Sequence, residues 1–263
     1  MTRTEIDLLA EAEALQPQTV ALRRRIHGHP ERGNDLPLTK QAVMQAIAGL
    51  ELEIVESQRT SGIVATLRGA QPGPTILLRG DMDALPMQEE TGLDYASSID
   101  GCMHSCGHDA HTAMLATATH MLCGHRERLK GDVKFMFQPG EEGYKGAKVM
   151  LDEGVIAAGG EPDAVFGIHV DPRQPAGVIG GREGNVLAAA DSYEIKIIGT
   201  GGHGAKPHDG NDPVRVVRDA LLNIPERLAA MLASEGDERR VHQILATEIR
   251  AAMEELTDGA ERG

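Results

Sequence analysis

Four short apolar runs punctuate this chain: GIVATL (62–67), TILLRG (75–80), DVKFMFQ (132–138) and DAVFGIH (163–169). The last three are separated by stretches of helical pattern, about 110–123 and 147–151. Short apolar runs bounded by turn signals read as strands buried on both faces, and strands alternating with helices favour parallel pairing. The expected fold is therefore α/β, a mostly parallel sheet covered by helices. Upstream, Ile6, Leu8, Leu9, Leu15, Val20, Leu22 and Ile26 give an amphipathic helical pattern over 4–27 with a break expected at Pro17. A second helix is expected from Thr39 to Leu50, with Pro37 as the stop before it.

The polar chemistry sits where the apolar runs end. GDMDALP follows TILLR, PGEEG follows VKFMFQ, and His169 closes AVFGIH. Ligands of open α/β sheets bind beyond the carboxyl ends of the strands, where loops from several strands meet. Three polar clusters at three strand ends are thus expected to converge.

The densest of these segments is GCMHSCGHDAHT (101–112). Cys102 and Cys106 have three residues between them rather than the two of a redox Cys-x-x-Cys, and no second ligand pair follows as a structural zinc site would require. Cys106-x-His108 remains as a thiolate and an imidazole for an ion held also from elsewhere, against the plainer reading of a buried cysteine and a helix-capping histidine. In PGEEG, Gly140 and Gly143 permit the sharp turning that lets Glu141 and Glu142 face differently. One carboxylate can then hold a metal while the other serves as general base. Asp81 and Asp83, two apart, lie on one side of an extended segment and suit either turn chemistry or the orientation of a ligand. His169 is either a core histidine or a ligand. GTGGHGAKPH resembles a phosphate loop superficially, but Lys206 precedes Pro207 where Ser or Thr is needed, so a nucleotide site is rejected. His203 on that flexible turn is placed to reach a substrate carbonyl. His27 and His29 read as a helix end and its turn.

Composition removes other classes. Lys plus Arg number 26 against 40 Asp plus Glu, a net charge of −14 that disfavours nucleic acid and anionic membranes as partners. The sequence contains no 18-residue apolar run and no signal-peptide pattern at its start, so a cytoplasmic location is expected. Three cysteines, an odd number, are expected to stay reduced there. Aromatic content of 2% implies a core of Leu, Ile, Val, Met and Ala.

Taken in order, GDMDALP, MHSCGHDAHT, QPGEEG, GIHV and GTGGHGAKPH resemble the M20 metallopeptidase family, in particular its amidohydrolase branch of N-acyl-amino-acid amidohydrolases, hippurate hydrolases and auxin-conjugate hydrolases. The resemblance covers roughly residues 18–217. It implies a zinc-peptidase-like catalytic domain over 1–180, incomplete, and the start of an α+β lid or dimerisation domain over 181–217. A helical tail, 218–263, stands outside the pattern. By the same resemblance Cys106, His108, Glu142 and His169 look like ligands of two divalent ions, zinc or manganese, cobalt or nickel, with Cys106 able to bridge them. Glu141 looks like the general base, Asp83 like the acid supporting the site, and His203 like the lid histidine that approaches the scissile carbonyl, often across a homodimer interface. The implied reaction is hydrolysis of the amide bond of N-acyl amino acids or related small amides. Family members run longer and carry a further ligand histidine in a His-Ser-Pro context. Here the one histidine after position 208 is His242, without that context, so the sequence reads as truncated. Two alternatives stand beside the hydrolase: a catalytically impaired remnant that binds metal or a partner, and a redox protein using Cys102 and Cys106.

Overall fold

The structure, a computed structural model, describes residues 7–184, 186, 196–210 and 213–214. The chain divides into two compact units, Met1–Val178 and Ile179–Gly263.

The first unit is organised by a five-stranded sheet of β1 (Glu53–Glu56), β2 (Ile63–Leu67), β3 (Ile76–Asp81), β4 (Val133–Gln138) and β5 (Ala164–Gly167), in the order β1-β2-β4-β3-β5. Strand β3 pairs in parallel with both β4 and β5, whereas β1–β2 and β2–β4 are antiparallel. The class is α/β as expected, with a mixed sheet whose parallel portion is the three strands that end in polar segments. Connection length accounts for the mixture. A short turn joins β1 to β2, and parallel neighbours need a crossover. Helices α3 (His108–Gly124) and α4 (Gly146–Asp152) lie in those crossovers.

Alternation along the strands divides the core. Ile63, Ala65 and Leu67 of β2 and Val133, Phe135 and Phe137 of β4 are buried together with Leu115 and Ala116 of α3 and with Val43 of α2 (Pro37–Ala46). Val64, Leu77 and Met136 point the other way, against Met150 of α4 and the following Val155 and Ile156. The core is aliphatic except for Phe135 and Phe137, both fully buried.

Two expectations about proline are corrected. Helix α1 (Leu8–His27) runs unbroken through Pro17. Pro17 and Glu13 are both exposed, so the carbonyl that loses its N–H partner remains open to water. Pro37 starts α2 rather than stopping what precedes it, because its missing N–H costs nothing in a first turn. The Glu31 carboxylate accepts the next two N–H groups, of Leu38 (3.1 Å) and Thr39 (2.8 Å). The helix also ends at Ala46, short of the expected Leu50.

In the second unit the glycine-rich segment leads into a one-turn 3₁₀ helix, Pro207–Asp209. Lys196–Ile198 are not in a strand. The sequence over 191–198 reads as a strand running into the glycine-rich turn; its residues 191–195, and the helical tail expected over 218–263, lie outside the described residues. Among the described residues no helix is long and apolar enough to cross a membrane.

Candidate metal centre

The parallel strands deliver the polar segments side by side. Asp81 ends β3 opposite Gln138, the last residue of β4, and Arg79 stands opposite Gly167, the last of β5. Asp83, Glu141 with Glu142, and His169 therefore emerge within a few residues of adjacent strand ends, on one side of the sheet.

Asp83 fastens two of these segments together. Its Oδ1 accepts the Glu141 N–H (2.9 Å) and its Oδ2 the Glu142 N–H (3.0 Å). Gly140 and Gly143 adopt left-handed φ of 62° and 83°, the turning anticipated for PGEEG. A Cβ on Gly140 would collide with Asn34 Oδ1, so the turn requires glycine for space as well as for conformation. Asp83 Oδ1 also lies 3.6 Å from His108 Nδ1.

His108 opens α3 and is buried. Its Nδ1 donates to the Asp83 carbonyl at 2.7 Å, which leaves the Nε2 lone pair facing inward. That atom has no hydrogen-bond partner among the described residues and sits 3.6 Å from Asp81 Oδ2 and 3.9 Å from Glu142 Oε1. Cys106 Sγ lies 3.4 Å from His169 Nε2. Cys106, His108 and His169 offer ligand atoms within 4.8 Å of one another, and so do His108, Glu141 and Glu142. His108 is common to both groups. The structure thus brings together Cys106, His108, Glu141, Glu142, Asp83 and His169. His203 is exposed on the turn of the second unit, where its Nδ1 accepts the Ala205 N–H at 3.2 Å.

The donor set suits divalent cations on electrostatic grounds. Asp81, Asp83, Glu141 and Glu142 crowd one region, with Arg79 Nη1 as a cationic neighbour 2.6 Å from Asp81 Oδ2. Burial and the adjacent Glu142 push the Cys106 thiol up to about 12. Burial, with Glu142 next to it, also raises the pKa of Glu141. Burial lowers that of His108, but Asp83 and Asp81 outweigh burial and raise it. Each shift records a demand for positive charge. A proton answers it partly; a cation answers it fully and converts the thiol to thiolate. The Asp81 carboxylate remains ionised: burial raises its pKa, yet the His111 hydrogen bond and neighbouring cationic groups bring it to about 2.

A second buried polar network adjoins the first and was not foreseen. His27, the last residue of α1, has Nδ1 2.8 Å from Asp109 Oδ2 and Nε2 3.2 Å from Glu89 Oε1. Arg23 Nε donates to the same Asp109 oxygen at 3.0 Å. The Asp109 hydrogen bond outweighs burial and, with Glu89, raises the His27 pKa. His104, its ring centroid 6.2 Å from that of His27, has no partner for either ring nitrogen among the described residues and is kept neutral by burial, its pKa about 4. The three cysteines are free thiols.

The sequence model of Peptidase family M20/M25/M40 matches residues 77–257. The chain belongs to this family. The match begins at β3 and continues to 257, into the segment beyond Val217. This M20 chain is 39% identical over 223 residues to the N-acetylcysteine deacetylase of Bacillus subtilis, covering 84% of this chain and 58% of that one. It is 38% identical over 226 residues to the N-acyl-L-amino acid amidohydrolase of Geobacillus stearothermophilus, covering 85% and 60%. Among solved structures it is similar to a dinuclear metal-binding peptidase of the M20 family from Bacillus subtilis, with a TM-score of 0.61, 39% identity, and coverage of 65% of this chain and 47% of that one. The chain spans about half to three fifths of the length of these relatives.

Proposed function

We propose that this chain carries the catalytic centre of a metal-dependent amidohydrolase that cleaves the amide bond of N-acyl amino acids or related small amides. The observation that supports it most is the convergence of Cys106, His108, Glu142 and His169 around a buried, unpartnered imidazole nitrogen within a surplus of carboxylates. The names of the two curated relatives supply the substrate class, and the dinuclear neighbour supplies the expectation of two ions.

Cys106, His108, Glu142 and His169 would hold the ions; thiolate and imidazole suit zinc, and the carboxylate admits manganese, cobalt or nickel. Bound divalent ions supply Lewis acidity, polarising a carbonyl and lowering the pKa of water from 15.7 to about 7. The remaining steps fall to side chains. Glu141, with its raised pKa, takes the proton of the attacking water and returns it to the leaving amine nitrogen. Asp83 fixes the direction of Glu141 through the backbone N–H it accepts. His203 is assigned to the carbonyl oxygen by its motif, and with it the segment from 181 is read as the start of the lid, through which a homodimer would form.

The test is hydrolysis of hippurate and N-acetyl amino acids by the zinc- or manganese-loaded chain and by Glu141→Gln. Loss of the base is expected to cost on the order of 10² to 10⁴ in rate while metal content stays unchanged. Turnover equal in both proteins contradicts the reading. Metal binding without turnover in either supports the impaired remnant instead.

A further inference from the structure

Distance alone makes Asp81, His108 and His111 a second potential ligand group, since their donor atoms also lie within 4.8 Å of one another. Hydrogen bonding separates the two histidines. His108 keeps a buried Nε2 with no partner among the described residues. His111, equally buried on α3, has both nitrogens committed: Nδ1 lies 2.6 Å from Asp81 Oδ1, and Nε2 accepts the Val170 backbone N–H at 2.9 Å. An imidazole that donates through one nitrogen and accepts through the other has no lone pair left for an ion.

The acceptor bond falls at a consequential place. Strand β5 ends at Gly167, so no sheet ladder holds the residues after it. His169, two residues on, is exposed, and its Nδ1 turns to the neighbouring Val170 carbonyl at 2.7 Å. The backbone of this segment is tied to the rest of the unit through Val170. Its N–H is held by His111, and its side chain lies so close over Gly107 that a Cβ there would collide with Val170 Cγ2. Gly107, at a left-handed φ of 83°, is the residue between Cys106 and His108. The His111 ring also meets the His169 ring edge-on, centroids 4.6 Å apart.

We propose that His111 is a positioning residue: anchored by Asp81, it holds the Val170 N–H and thereby keeps His169 Nε2 beside Cys106 Sγ. This rests on the reading of His169 as a metal ligand. Without the tie, an exposed imidazole on an unpaired segment would have to be ordered by the ion itself, and that ordering cost would appear as weaker binding.

Two near-isosteric substitutions separate the two bonds of His111. His111→Asn places its amide near Nδ1 and keeps a donor for Asp81 while losing the acceptor for Val170. His111→Gln places its amide near Nε2 and keeps the acceptor. The probe is Co(II) titrated into the full chain, followed by thiolate-to-cobalt absorption and by ions bound per chain. The expected result is affinity about 10- to 100-fold weaker for the ion that uses His169 in H111N, near wild-type affinity in H111Q, and similar thermal stability in both. Val170→Pro removes the donor from the other side and should reproduce the H111N loss if that variant folds poorly. Amide exchange at Val170 in the metal-free protein provides an independent readout: faster in H111N than in H111Q. Undiminished binding in H111N, or equal loss in both variants, overturns the proposal; equal loss would mark His111 as a ligand or as mere packing. If the wild-type chain binds no cobalt, the proposed function falls, and Val170 exchange alone decides whether the tie exists.

Discussion

His108 and Asp109 are neighbours in sequence at the start of α3, yet they serve opposite kinds of network. Asp109 faces α1, where its Oδ2 meets both Arg23 and His27 and the other nitrogen of His27 meets Glu89, so that each ionisable side chain of the set lies against an opposite partner. His108 faces the strand ends, where four carboxylates and a thiol meet one arginine and an imidazole nitrogen has no partner among the described residues. A buried network of paired charges is costly to break, because removing one partner leaves the other uncompensated. An unbalanced one costs stability until a ligand completes it. The contrast teaches that burial and polarity do not identify a binding site; the sign and sum of the charges do.

The strongest way to break this comparison is to remove one carboxylate from each side. Asp109→Ala should cost about 3 kcal/mol of unfolding free energy in the metal-free protein, since it removes the principal partner of buried His27 and leaves a cavity at a fully buried position. Glu142→Gln in the same state should cost nothing or stabilise slightly, because it relieves repulsion. Urea denaturation of both variants in the presence of a chelator reads the difference, and similar losses would erase the distinction.

A smaller effect is expected from filling the unbalanced site. Zinc at 100 times its dissociation constant should stabilise the wild-type chain by about 2.7 kcal/mol for one ion. Asp109→Ala should retain that increment and Cys106→Ser should lose most of it. Thermal melts with and without metal measure this. An increment retained by Cys106→Ser would remove the thiol from the site.

The smallest effect is the part of the pH dependence that His27 contributes. His27 has a raised pKa in the folded chain, so its contribution is complete below its unfolded value of about 6.5 and is lost as pH rises through the folded value. The midpoint of metal-free wild type should therefore fall over that window relative to His27→Gln, whose slope should be flatter. Parallel slopes would show that His27 carries no charge there.

The sequence revealed one of these networks far better than the other, for a physical reason. Strand-terminal clusters such as PGEEG and GDMDALP announce themselves locally: an apolar run stops, glycines permit a turn, and carboxylates follow. His27 and Asp109 lie 82 positions apart, and each sits in a helix where a single polar residue reads as surface or cap. His111 was hidden differently. It stands within a segment rich in potential metal ligands, and the Val170 N–H on its Nε2 is what separates the proposed brace from a ligand. Strand β1, EIVE, escaped because two apolar residues between glutamates make too short a pattern, as befits a sheet edge open to water. Pro17 misled because its effect depends on which side of α1 faces solvent.

In the proposed centre one thiolate joins imidazole and carboxylate around shared cations at the ends of β3, β4 and β5. X-ray absorption at the zinc edge of the zinc-loaded chain tests it most directly. A sulfur scatterer at about 2.3 Å alongside nitrogen and oxygen, absent from Cys106→Ser, is the predicted result. A shell of nitrogen and oxygen alone in the wild type, or a sulfur that survives the substitution, would contradict it.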